Sequence, residues 1–228
     1  MKKSLIIICL VLIMVTSLAL AGCTDVTGTR TDNFERLMTI MANSPIAYKI
    51  DTTIIAGELE SSSTVKIARQ NDAFIAEYTY VDQEYATFDG SNIPAEQIIT
   101  TQGTVYYSDD QVGTLVGETI VWQTGDTFEA LTPSALAISQ ELFENKLIPV
   151  AVGTVITLEG DVLDDQIATL FSVDATDVEG ITGLHLTVVA NVQYSRVTSI
   201  AVTYTKNDVE VAITVTFDYT AQEVVIPD

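Results

Sequence analysis

The stretch VEVAITVTFDY, residues 209–219, decides the fold. Val209, Val211, Ile213, Val215, Phe217 and Tyr219 alternate with Glu210, Ala212, Thr214, Thr216 and Asp218. That period of two puts apolar side chains on one face of a β-strand and polar ones on the other. Such a strand belongs to an antiparallel sheet that is dry on one side and wet on the other. Working outward, Lys206-Asn207-Asp208 supplies a hairpin turn to a preceding strand at Val197–Thr205, and another strand spans Leu184–Val192.

The same alternation governs the first part of the chain. Tyr48 to Ile54, Thr64 to Arg69 and Phe74 to Tyr80 read as three meandering strands, with Gly57–Ser63 and Gln70–Asp72 as polar breaks between them. Phe88-Asp89-Gly90-Ser91 marks a further turn. Strands are expected at Thr104–Ser108, Glu118–Gln123 and Thr154–Leu158, while Pro94 assigns the first half of 92–103 to loop.

Three helices interrupt this pattern. Asp32 and Glu35 have the spacing of a capping box, Phe34, Leu37, Met38 and Met41 form an apolar stripe, and Pro45 ends the helix near Asn43. Thr132-Pro133 opens a second, through about Lys146, with Leu136, Leu142, Phe143 and Leu147 apolar. A short third spans Asp164–Phe171. The dry face of the sheet needs a cover, and these helices are available. The expected fold is mainly β (α+β): a curved antiparallel sheet of about seven to ten strands, an incomplete β-barrel covered by two or three helices. It forms one domain over 32–228.

The N-terminus reads as an address. Lys2 and Lys3 precede an apolar run at 5–15, LIIICLVLIMV, and small residues follow. This is the layout of a secretory signal, and the run is too short for a permanent membrane span. Leu20-Ala21-Gly22-Cys23 resembles the lipobox of bacterial lipoprotein precursors. The resemblance implies cleavage between Gly22 and Cys23, a diacylglyceryl group on the Cys23 sulfur, and a lipid-anchored protein on the extracytoplasmic face of the cell membrane. Several acyl chains anchor stably where one is marginal. Residues 23–31 form a polar tether, whose eight residues after Cys23 reach about 16 Å as a random coil.

Charge and cysteine content narrow the partners. Beyond the leader the chain carries eight basic and 31 acidic residues, a formal charge of −23, which repels phosphate backbones and excludes nucleic acid as a partner. Cys9 leaves with the leader and Cys23 is alkylated, so neither a disulfide nor a free thiol remains. Stability must come from burial.

The order of elements resembles the LolA and LolB lipoprotein carriers and the related LppX and LprG lipoproteins. The matching positions are the helix Phe34–Asn43, the strand triplet Tyr48–Tyr80 and the turn Phe88-Asp89-Gly90. The resemblance implies an apolar space between sheet and helices that holds a lipid or acyl chain. Phe74, Tyr78, Trp122, Phe143 and Phe217 are its candidate lining residues, and ordinary core packing is the alternative for each.

Catalytic signals are sparse. His185 is the only histidine and faces away from Leu184 and Leu186, as a solvent-facing strand residue does. Asp161, Asp164, Asp165, Asp174, Asp177 and Glu179 crowd one region without the register of a calcium loop, and read as a solvated acidic segment. No catalytic residue, metal or cofactor is implied. The expected function is a membrane-anchored lipoprotein that binds or carries a hydrophobic ligand. The alternative is a non-catalytic surface module that binds another envelope protein.

Overall fold

A computed structural model describes residues 28–70, 73–85, 97–108, 111–116, 119–125, 133, 136–138 and 147–226. Eleven strands form one curved, open antiparallel sheet. They are β1 (Lys49–Ala56), β2 (Leu59–Gln70), β3 (Ala73–Tyr85), β4 (Ile98–Ser108), β5 (Gln111–Val116), β6 (Thr119–Thr124), β7 (Ile148–Val152), β8 (Val155–Asp161), β9 (Ile181–Asn191), β10 (Arg196–Lys206) and β11 (Val209–Asp218). Their spatial order, β6-β5-β4-β3-β2-β1-β11-β10-β9-β8-β7, is two meanders joined at one seam, the β1–β11 pair.

Turn chemistry sets the registers. Gly57 (φ 61°) and Gly153 (φ 59°) turn β1 into β2 and β7 into β8, and Asn207 and Asp208 (φ 51° and 66°) both take the left-handed conformation of a two-residue hairpin. The expected Gly57–Ser63 break is therefore shorter, Gly57-Glu58. The small polar run from Glu60 to Ser63 looks like loop, but its backbone pairs with Ile55 to Thr52 of β1. Two strands escaped the sequence reading. β5 is short and holds Gly113, and β7 contains Pro149, which the sheet tolerates because β7 is its terminal strand.

The helix α1 spans Arg30–Asn43. Its capping box lies one turn earlier than the Asp32–Glu35 spacing suggests: Thr29 Oγ1 accepts from the Asp32 amide at 3.2 Å, and the Asp32 carboxylate accepts from the Thr29 amide at 2.8 Å. Phe34, Leu37, Ile40 and Met41 are buried on its inner stripe, with Met38 partly covered. They pack with Ile50, Leu147, Ile156, Leu158, Leu184, Leu186, Val188, Val197 and Phe217 into one core. A 3₁₀ turn at Asp164–Gln166 and the short α2 (Ile167–Phe171) add Ile167 and Leu170 to it.

The expected helix from Pro133 to Lys146 is not what residues 136–138 form. They are non-helical, because the Ala137 amide donates to the Leu170 carbonyl at 2.8 Å instead of to its own preceding turn, and Ile138 is buried in the core. Residues 139–146 lie outside the described residues, as does the turn at 88–91.

The Asp32 carboxyl is held below the ordinary carboxylate value first by the hydrogen bond from the Thr29 amide and then by the Thr29 side chain, and Asp218 likewise by hydrogen bonds from Thr220. A depressed native pKa contributes stability that is complete above the unfolded value of about 3.9 and disappears as pH falls through the lower native one. Asp32→Asn is accordingly expected to lose part of the acid dependence of the urea midpoint below about pH 4, measured by circular dichroism.

Candidate functional site

Opposed residues of an antiparallel ladder point to the same face. Phe217, Ile50, Val65, Tyr78, Val105, Thr114 and Val121 stand opposite one another in turn, from β11 across to β6, and so form one row on the face that carries α1. Along the row burial runs out. Phe217 and Ile50 are 6% and 3% exposed, Val65, Tyr78 and Val105 are half-buried, and Val121 is 46% exposed. The half of the inner face under α1 is a filled core, whereas the β2–β6 half presents partly uncovered apolar and aromatic side chains.

An open groove of about 610 Å³ lies on that uncovered half, lined by Ser61, Tyr78, Tyr80, Asp82, Glu84 and Thr101 among others. The Tyr78 and Tyr80 rings stack with centroids 5.7 Å apart and planes at 25°. Tyr80 stands opposite Gly103, and its ring occupies the place of the missing side chain: a Cβ there would lie 2.6 Å from the hydroxyl and 2.7 Å from Cζ. The lone glycine inside β4 thus gives an aromatic wall its seat. Sequence reading passed over Tyr80, although Tyr78-x-Tyr80 spacing on one strand face and an isolated strand glycine were both visible signals.

Tyr78 and Phe217 share the inner face, Tyr78 in the groove and Phe217 in the core. Trp122 does not join them. It stands opposite Gly113, which opposes Tyr106, Glu77 and Lys66 in turn, so it lies on the outer face. Phe74 pairs with Arg69 in the β2–β3 ladder, and its side chain lies outside the described set, as do Cys23 and Phe143. On the outer face Lys66 and Glu77 form an ion pair of 2.7 Å, with the Glu77 side chain 15% exposed. Burial, aided by Glu77, raises the Tyr106 phenol above its ordinary pKa.

His185 Nδ1 lies 2.8 Å from Asp161 Oδ1, and both side chains are well exposed. A contact so exposed contributes little. Among the described residues no three metal-binding side chains converge, and no helix is long and apolar enough to cross a membrane.

No protein-family model matches the sequence, and no curated protein matches it. The crystal structure of LprF from Mycobacterium bovis is similar, with a TM-score of 0.41 and 13% identity over 87% of this chain and 97% of that one.

Proposed function

We propose that this chain is an extracytoplasmic lipoprotein, held at the membrane by acyl chains on Cys23, that binds a hydrophobic ligand such as a lipid or acyl chain against the uncovered half of its inner sheet face. The observation that carries this reading is the row from Phe217 to Val121, buried at one end and open at the other. Apolar side chains left partly uncovered among the described residues favour an apolar occupant. The site works by burial alone, without catalysis: Tyr78 and Tyr80 supply a flat wall that stays partly wet, and Asp82 and Glu84 flank it as polar groups at the rim.

Mass spectrometry of the chain purified from bacterial membranes tests both halves of the proposal. Under denaturing conditions the mass is expected to include acyl chains on Cys23. Under native conditions further lipid adducts are expected. A covalent acyl mass without adducts removes the ligand and leaves the anchor. Gly103→Ala is expected to push the Tyr80 ring from its seat and deplete the adducts, while changing stability by no more than about 1 kcal/mol, because alanine also stiffens the unfolded chain.

A second reading, a module that binds another envelope protein, draws support from the openness of the groove and its acidic rim, which suit a basic, partly apolar segment of a partner. A protein co-purifying in place of lipid would favour it.

A further inference from the structure

We infer that the outer side of the β7–β8 hairpin rests on the lipid surface beside the anchor, an inference that depends on the lipidation of Cys23 proposed above. Ile148, Val150 and Val152 are 54%, 45% and 73% exposed and alternate with Pro149 and Ala151, which turn toward the core side. Val152 stands opposite Val155 and Val150 opposite Thr157, so the uncharged strip continues onto β8 until Ile148 meets the exposed Glu159 at its far end from the turn. From Ile148 to Leu158 the sequence IPVAVGTVITL contains no ionisable side chain, in a mature chain whose formal charge is −23. An acidic protein approaches an anionic lipid surface most easily through such a stretch.

The anchor is attached close by. Arg30 Nη2 donates to the Leu147 carbonyl at 2.8 Å, which holds the start of α1 at the start of β7. Gly28 lies five positions after Cys23, and fully extended those five steps span no more than about 18 Å. β7 itself is about 13 Å from Ile148 to Val152. Once the acyl chains are inserted, the strip is therefore within a tether's length of the bilayer surface. A contact too weak to capture a membrane unaided is occupied when a short tether raises its effective concentration. Another strand is the less suitable occupant, since Pro149 lacks an N–H and blunts this terminal strand against strand addition.

The test uses the full chain, processed in bacteria and reconstituted in vesicles of phosphatidylethanolamine and phosphatidylglycerol. With Cys23 alkylated and Cys9 removed with the leader, an introduced thiol is unique. A bimane label at Val152→Cys is expected to be quenched several-fold more by nitroxide-bearing lipids than the same label at Ser62→Cys, an exposed position on β2. Equal quenching in chain that floats with the vesicles overturns the docking surface and leaves the anchor intact. Failure to float overturns the anchor, and this inference with it. A dimer that shields the Val152→Cys label in detergent assigns the strip to a second copy and likewise overturns the inference.

Discussion

Leu37→Ala is expected to lower the free energy of unfolding by about 2–5 kcal/mol. Leu37 is fully buried at the middle of α1, in one cluster with Leu147, Leu158, Leu186 and Val188. Alanine is the strongest helix former, so the substitution spares α1 itself and removes only its packing against the sheet. The lost methyl groups forfeit their transfer energy, and the cavity they leave adds to the cost. Against a total stability of about 5–15 kcal/mol for a domain, that is a large share. Urea unfolding should show a lower midpoint with an unchanged slope. A loss below about 1 kcal/mol would mean that α1 is a loosely applied cover and not the centre of the core. The groove on β2–β4 should keep its shape in the folded fraction, because Leu37 packs under the other half of the sheet.

Gly113→Val is expected to cost about 1–3 kcal/mol through overcrowding on the opposite face. Even a Cβ at this position would lie 2.6 Å from Ile120 Cγ2 and 2.9 Å from the Trp122 ring. Neither neighbour is the free end of a flexible chain, so both must move. Behind them stand Tyr106, 6% exposed, and the Lys66–Glu77 pair. Displacing the indole opens that row to water. Trp122 is the only tryptophan in the sequence, so intrinsic emission reports on this place alone and should shift to the red in the folded variant. Ile120→Ala should cost less in the Gly113→Val background than in the wild type, since there it also removes the nearer obstacle. An unshifted emission and unchanged stability would show that the indole does not need the glycine.

Local features were legible in the sequence, and partnerships were not. The alternation in 209–219, the Asn207-Asp208 turn and the end of α1 near Asn43 depend on neighbouring residues, and each matches the structure. The curved, open antiparallel sheet also follows from strands with one dry face. β7 was hidden because a proline argues against a strand until its terminal position is known. β5 was hidden because Gly113, inside it, has no side chain to alternate, its face being completed by the indole nine residues on, directly opposite across the β5–β6 hairpin. The candidate site shows the same division. Tyr78 is on the groove side and Trp122 on the other, a distinction fixed by ladder registers that composition cannot reveal. Apolar character indicates that a residue seeks cover, and only topology indicates from which side.

The seam between β1 and β11 has a consequence for biogenesis. A chain that emerges N-terminus first delivers β1, starting at Lys49, long before the partner strand that ends at Asp218. Closing so long a loop is entropically costly and slow, and until it closes β1 offers a bare row of amides and carbonyls to any passing strand. The last of the eleven strands in chain order therefore fills the middle of the sheet. Loss of a sheet's final strand commonly trims a rim, but loss of β11 would split this sheet between its two meanders.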